Sequence, residues 1–522
     1  MSATEVKPTQ ENGEVVKRQE GDEVEVVKQQ LYSFWQACGL NTMMMFGTGP
    51  FISIPMCLAA TTPAGPQAMI GYAIAALGCA MDSMVWGELG SRWPESGGSY
   101  IYLRQLYGEE KWGKLAAFLY VWQFFISGPA EIASGFIAIS EYAVYLHGNE
   151  DFWAVVIPSI AMLLISLFAL TRKIENIGKF TLFLWAITVF AILTCLIGGF
   201  MNFDATNLQM SEDAFAEPTT FVLSLAAACR FGVYDFTGYY DVCQMGGEVQ
   251  NPKKTIPHSC VITCFVVLVV YFATYFSVIG ALPWFGPDGF VATEDNFIMG
   301  TFAERLINQG FAMFFVVIVC ITIFGSAFSM VCGMQYLPGA AAEDGLFFEW
   351  FAVRDERGIP LRSLLTLGGL SVCWCFFSLD VVIDAMTVMI ILVQFIGQAV
   401  GLMVWRSSFK TPETDDKEAW KVPLYPLPVI LQVLVMGFIF ITSDNWIVSG
   451  NDPLLDLCVL FILFGCLLFL VRQKKHKDWP FGIPTRRKSL EERMSMRSSK
   501  KKEVAEDEAI ALKSVELEEG TA

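Results

Sequence analysis

Histidine is nearly missing from this chain. Three occur in 522 residues, His147, His258 and His476, far apart and all outside the apolar runs. An enzyme needs a nucleophile with a base beside it, or a metal held by several ligands. No His-based metal motif is visible, so catalysis is the weakest reading and no cofactor is expected. No Gly-x-x-x-x-Gly-Lys-Ser/Thr loop is present, which disfavours ATP as an energy source. Charged residues make up only 17% of the chain and crowd into its ends and into short gaps between apolar runs. The net charge of −17 therefore describes tails and loops, and gives no reason to expect a nucleic-acid partner. The 14 cysteines are scattered, mostly inside apolar runs, with no Cys-x-x-Cys pair and no dense disulfide framework. They read as small apolar fillers. No cleavable signal peptide is expected, because the first 30 residues are polar and the first apolar run is too long for a signal core.

What is abundant is apolar. Hydrophobic residues make up 54% of the chain, with 43 Phe, too much for a water-soluble protein of this length. Spans of roughly 20 apolar residues cross a bilayer as helices. Twelve are expected, with soft edges: 33–60, 67–90, 114–146, 152–171, 179–201, 219–246, 259–282, 309–337, 363–380, 383–405, 426–446 and 453–471. Residues 1–30 read as a disordered or surface-lying polar tail. Residues 472–522 form a second polar tail with basic clusters, which suit an anionic leaflet or simply water. Lys and Arg sort cleanly between the gaps. The gaps 61–66, 147–151, 202–218 and 447–452 contain neither, and 283–308 contains only Arg305. The positive-inside tendency then places both termini in the cytoplasm, with the plasma membrane as the expected location.

One stretch stands out. Met43-Met44-Met45-Phe46-Gly47-Thr48-Gly49-Pro50-Phe51 lies within an apolar run yet holds two glycines and a proline. Proline removes a backbone donor and clashes with the preceding turn. Freed backbone groups survive at membrane depth only where they line a cavity. The stretch reads as a broken helix around a binding site, or as a merely kinked helix. A second interruption, Tyr234-Asp235-Phe236-Thr237-Gly238-Tyr239-Tyr240-Asp241, falls in the sixth span. Breaks at matching places in two halves point to a transporter site between inverted repeats. The repeats would cover about 33–201 and 219–405, within a transporter domain at 31–471, and the helices at 426–471 would be additions.

Three motifs carry a family resemblance. Gly47-Thr48-Gly49-Pro50-Phe51 resembles the first-helix break of the amino acid–polyamine–organocation superfamily. Glu88-Leu89-Gly90-Ser91-Arg92-Trp93-Pro94-Glu95-Ser96-Gly97-Gly98-Ser99-Tyr100-Ile101-Tyr102 resembles its signature after helix 2. Gly246-Gly247-Glu248-Val249-Gln250-Asn251-Pro252-Lys253-Lys254-Thr255-Ile256-Pro257 resembles its loop after helix 6. They occur in the family's order, and Pro50 departs from the Ile or Val that many members carry. The resemblance implies an all-α membrane protein with twelve transmembrane helices, a LeuT-like five-plus-five inverted repeat with helices 1 and 6 broken, and two extra helices. It also implies alternating-access transport of an amino acid. A carboxylate suits the free N–H groups of the half-helix that begins near Pro50, and Thr48 adds a hydroxyl. Carbonyls near Phe46 and Tyr234 suit an ammonium. The expected substrate-binding set is Met45, Phe46, Gly47, Thr48, Gly49, Phe51, Glu131, Tyr234, Asp235, Thr237 and Gly238.

Tyr234 sits where relatives place an aromatic gate; the ordinary alternative is a core aromatic. Gly238 matches the glycine of the unwound turn. Lys179 resembles a fifth-span lysine whose ammonium stands in for sodium, which implies sodium independence; the alternative is an inner-edge lysine reaching for water. Ionisable residues inside spans suggest function or pairing. Glu131 or Asp235 could meet a cationic substrate or carry a proton, or Arg230 could pair with one acid and tie two helices. A cationic amino acid or polyamine carrier is therefore the alternative substrate class, and a membrane sensor that binds without transporting is the third reading. The expected partners are a small amino acid or amine, the lipid bilayer and, as a coupling ion, protons; oligomeric state is not readable.

Overall fold

The first apolar run forms two helices, not one. α1 (Phe34–Met45) and α2 (Gly49–Ala59) are bent 46° at the break. Pro50 sits in the first turn of α2, where its missing N–H has no intrahelical partner to lose. The computed structural model describes residues 9–11, 14–18, 24–28, 32–47, 49–61, 63–109, 111–171, 177–210, 213–282, 298–355, 359–409, 416–442, 454–476 and 480–481.

The chain continues through α3 (Met69–Arg92), the short α4 (Ser99–Leu106), α5 (Trp112–His147), α6 (Phe152–Leu170) and α7 (Ile177–Met201). α8 (Pro218–Phe236) stops at the second interruption, and α9 (Asp241–Gln244) resumes beyond it. Gly238 between them has φ +112°, a conformation that a side chain would strain. Then follow α10 (Pro252–Ala281), α11 (Ile298–Leu306), α12 (Gln309–Met334), α13 (Tyr336–Glu343), α14 (Leu361–Trp374), α15 (Leu379–Ile390), α16 (Gly397–Val404), α17 (Leu427–Ile441) and α18 (Leu454–His476). A π-helical stretch, Ile391–Ile396, joins α15 to α16, and another, Trp405–Phe409, follows.

Among the described residues, eight helical segments are long and apolar enough to cross a membrane, nine if the bent α1–α2 pair counts as one. A helix lies in every expected span. However, α14 and α17, at 14 and 15 residues, reach only about 21–23 Å at 1.5 Å per residue, short of a core of roughly 30 Å. The long helices carry apolar residues on their exposed faces: Ile157, Leu164 and Phe168 on α6, Phe190, Leu193 and Ile197 on α7, Phe265 and Val269 on α10. Small polar residues turn inward, as where Ser159 donates to Ser140 at 2.8 Å. Apolar outside and small or polar inside is the arrangement of helices packed in lipid. The chain is an integral, multi-pass membrane protein.

Part of the N-terminal tail is ordered. Residues 9–11, 14–18 and 24–28 pair as three antiparallel strands, β1 (Thr9–Glu11), β2 (Glu14–Arg18) and β3 (Val24–Lys28), with Val15 opposite Val27 and Val16 opposite Val26. The expectation is a disordered or surface-lying tail; the strands follow the Glu/Val alternation, a period-two pattern. By contacts the chain divides into residues 1–469 and 470–522. In the first unit α10 packs against α1, α3 and α7, and α8 against α2 and α3, which surrounds both breaks with helices.

Candidate functional site

The two breaks touch. A β-carbon at Gly238 would lie 3.1 Å from the backbone nitrogen and from Cγ of Met45, so a side chain there would crowd the first break as well as strain the backbone. Asn41 of α1 stitches the contact: Nδ2 donates to the Tyr239 carbonyl at 2.6 Å, and Oδ1 accepts from the Val242 amide at 2.9 Å. One side chain thus satisfies two backbone groups freed by the second break. Tyr271 of α10 donates to the Met45 carbonyl, and Tyr142 of α5 donates to the Phe51 carbonyl.

Gly47 and Gly49 are both buried, each against a different polar side chain. A β-carbon at Gly47 would stand 2.1 Å from Ser326 Oγ and 2.6 Å from its Cβ, on α12. A β-carbon at Gly49 would stand 3.2 Å from Asp235 Oδ1. Among the described residues, neither Ser326 Oγ nor Asp235 Oδ1 has a hydrogen-bond partner. The first-turn N–H groups of α2 lack intrahelical acceptors by construction. Among the described residues the break therefore gathers N–H groups without intrahelical acceptors, a positive helix end and two unpartnered buried oxygens.

The other carboxylate oxygen, Asp235 Oδ2, is crowded. Ser53 Oγ, Tyr72 OH and Tyr275 OH donate to it at 2.7, 2.9 and 3.0 Å. Ser53 Oγ is also 2.9 Å from the Gly49 carbonyl and 2.7 Å from Tyr275 OH. Among the described residues no cationic side chain forms an ion pair with Asp235. Arg230, one turn back on α8, is held instead by Asp384 of α15, Nε to Oδ1 at 2.7 Å and Nη2 to Oδ2 at 2.9 Å. The pairing option for Arg230 thus holds, although the acid in the described bridge is neither Glu131 nor Asp235. Asp384 takes that place, and the pair ties α8 to α15.

The remaining predicted residues take distinct places. Phe46 is half-buried with its ring 5.6 Å from that of Tyr271. Tyr234, 5% exposed, places its hydroxyl 3.1 Å from Ser134 Oγ on α5. Near Tyr234, where carbonyls for an ammonium are expected, the Tyr234 carbonyl accepts from Thr237 N and Thr237 Oγ1 at 3.3 and 2.7 Å. Glu131 is half-buried and interacts electrostatically with Asp241 at the start of α9, with Tyr240 and Tyr120 nearby. Thr48 lies outside the described residues, as does the side chain of Lys179. Ser329, near Ser326 on α12, donates to the Gly325 carbonyl of its own helix at 2.8 Å. Asn41, Ser53, Tyr72, Tyr271 and Tyr275 are absent from the expected set; Tyr271 and Tyr275, four apart on an apolar helix, are the available signal. Among the described residues no group of three or more His, Cys, Asp or Glu is placed to hold a metal. A cleft of ≈750 Å³ opens elsewhere, beside Phe34, Asn251, Lys253, His258 and Glu418, and none of the break residues lines it.

The second and third motifs, which the sequence only orders, also meet in space: Ser91 Oγ donates to the Lys253 carbonyl at 2.8 Å. Gly97 N donates to the Gln244 carbonyl at 3.0 Å, and Tyr32 exchanges hydrogen bonds with Glu248 and Gln250. Asn251 takes φ +47° just before Pro252, a left-handed position that asparagine tolerates. Glu88 is fully buried and accepts from Arg92 Nε at 2.9 Å, from Arg406 and from the Val422 amide at 2.8 Å.

A helical membrane protein with two touching helix breaks, one presenting a free helix N-terminus, has the form of a carrier with an internal site. The amino acid permease family matches residues 32–464, and the chain belongs to that family. It is 26% identical over 394 residues to the human cystine/glutamate transporter, covering 73% of this chain and 74% of that one. It is 22% identical over 437 residues to a serine/threonine exchanger of Bacillus subtilis, covering 81% and 91%. A branched-chain amino acid permease of Lactococcus lactis is 22% identical over 397 residues, covering 72% and 82%.

Proposed function

We propose that this permease carries an amino acid through the membrane by alternating access, gripping the substrate's α-carboxylate at the N-terminal end of α2. The observation that carries the reading is the contact between the two breaks, Gly238 against Met45, with Gly49 and its free helix end at the junction. The names of the relatives point the same way. Their substrates differ in side chain, from glutamate to branched aliphatics, and share the amino acid group. A clamp built from helix ends recognises what they share.

The finer architecture in this reading is twelve spans with both termini cytoplasmic. Helices 1 to 5 and 6 to 10 form inverted repeats, and α17 and α18 stand outside them. The face bearing Arg92, Lys253 and Arg354 is cytoplasmic by the positive-inside tendency, and the membrane is the plasma membrane. Transport is sodium-independent, with Lys179 in the place of the ion. The chain acts as a carrier and not as an enzyme. A cationic substrate is the second reading, supported by the Glu131–Asp241 pair beside the second break.

The test is a substrate panel in proteoliposomes carrying the purified protein, with and without sodium. Saturable flux of an amino acid that persists without sodium supports the reading. Preference for arginine or spermidine over leucine would move it to the cationic class. Binding without flux would make the protein a sensor and sink the transport reading.

A further inference from the structure

We propose that Asp235 is a proton-binding site whose occupancy gates entry of the substrate carboxylate, making the carrier a proton–amino acid symporter. The proposal rests on the transport reading and deepens it.

Asp235 is 2% exposed and meets ionisable groups on every side that are neutral at pH 7. These are Cys57 on α2, Tyr72 on α3, and Tyr271 and Tyr275 on α10. Among the described residues none is a cation, and the nearby Arg230 is engaged by Asp384. Unpaired acids inside a membrane protein are retained for proton or ion traffic.

With Asp235 ionised, Tyr72 and Tyr275 donate to Oδ2, and Ser53 donates to Oδ2 or to the Gly49 carbonyl. With Oδ2 protonated, its hydrogen goes to Ser53 Oγ, and Ser53 turns its own hydrogen to the Gly49 carbonyl. Tyr72 and Tyr275 continue to donate. Both states place every hydroxyl hydrogen, and the switch between them is the rotation of one serine hydroxyl. A group built only to hold structure needs one satisfied state; this network has two.

Asp235 Oδ1 faces Gly49, the first residue of α2. A negative charge there competes with the substrate carboxylate for the same positive helix end. Protonation removes the competitor. One proton then enters from the side of higher proton activity with each substrate and leaves to water on the other side once the substrate has gone. No bond other than the O–H is made or broken.

The experiment uses the full-length protein in proteoliposomes with an internal pH dye, the voltage clamped at zero, and the best substrate from the panel. One proton per substrate across a one-unit pH gradient supports up to about tenfold accumulation. The wild type is expected to acidify the lumen as substrate enters and to accumulate it along the gradient. Asp235→Asn is expected to show no accumulation, and whatever exchange remains no longer varies with pH. Tyr72→Phe, which removes a donor to the charged form, is expected to move the alkaline limb of the uptake profile to higher pH. A purely structural role would change the rate and leave the profile in place. Wild-type flux without proton movement overturns the proposal while leaving the transport reading standing. Gradient-driven accumulation by Asp235→Asn, or an unmoved profile in Tyr72→Phe, also overturns it. Absence of any flux in the wild type would instead refute the transport reading.

Discussion

Two buried acids in this molecule live in opposite company. Glu88, near the end of α3, is wrapped by Arg92, Arg406 and the Val422 amide, and Arg406 lies 3.8 Å over the Tyr425 ring. Among the described residues, Asp235, at the end of α8, takes its hydrogen bonds only from hydroxyls, and one of its oxygens meets no donor. A carboxylate compensated by cations has one charge state that suits its site, so it works as a rivet between segments distant in sequence. A carboxylate among reorientable hydroxyls has no fixed counter-charge, and its surroundings accommodate a change of state. Burial alone does not separate structure from function here; the partners do.

The comparison breaks most sharply by substitution at the two acids. Removing one member of a buried, paired charge set costs roughly 3–5 kcal/mol. Glu88→Ala should therefore lower the thermal transition in detergent markedly, because Arg92 and Arg406 are left facing each other. Asp235→Asn keeps the hydroxyl network largely satisfied and should change stability by about 1 kcal/mol or less. If the two variants melt alike, the contrast between rivet and switch is wrong. Next in size is Gly47→Ala. The added methyl would meet both Oγ and Cβ of Ser326, and Cβ cannot rotate away because the α12 backbone fixes it. Overpacking of this kind costs about 1–3 kcal/mol, and uptake should fall at least about tenfold as the break is pushed open. Ser326→Gly in the same chain removes both clashing atoms and should recover flux; failure to recover would mean that the break tolerates no change for some other reason. Tyr271→Phe is milder. It deletes the hydroxyl that holds the Met45 carbonyl, worth about 1 kcal/mol, and should raise KM for uptake with less effect on the maximal rate.

How far the sequence can be read follows the same division. The breaks are legible because Gly47, Gly49, Pro50 and Gly238 act on their own backbone, and a local cause leaves a local mark. α8 ends at Phe236, inside the interruption expected at 234–241 of the sixth span, since the polar run from Thr237 to Tyr240 does not wind into helix at all. The partners of Asp235 are not legible. Ser53, Tyr72 and Tyr275 come from three other helices, and nothing in their neighbouring residues marks them as belonging together. Asp384 escapes for that reason too, 154 residues from Arg230. The acid of the second motif is visible as part of a signature, but its role as an anchor needs Arg406, 318 residues away. Patterning places helices; the identity of a buried polar network is decided by which helices pack, and a single chain read in order does not contain that.

The smallest effect is expected at the surface, and it limits how the pH tests are interpreted. Lys253 Nζ reaches Asp416 Oδ2 at 2.7 Å and Glu418 Oε2 at 3.2 Å, tying the start of α10 to the segment before α17. The hydrogen bond from Lys253, helped by those from the Glu418 and Ala419 amides, holds the Asp416 carboxyl below its ordinary range. A depressed carboxyl contributes stability that is complete above its unfolded value and is lost only as pH falls through the lower folded one. The clasp is therefore intact throughout the neutral range and opens only in acid. Exposed pairs like this contribute little and are screened by salt, so Asp416→Asn should alter exchange rates by no more than about threefold and should flatten their salt dependence. It should leave the neutral-range pH profile of uptake where it was. A profile that moves with Asp416→Asn but stays fixed in Tyr72→Phe would transfer the pH response from the helix breaks to this clasp, and the contrast between the two buried acids would lose its functional meaning.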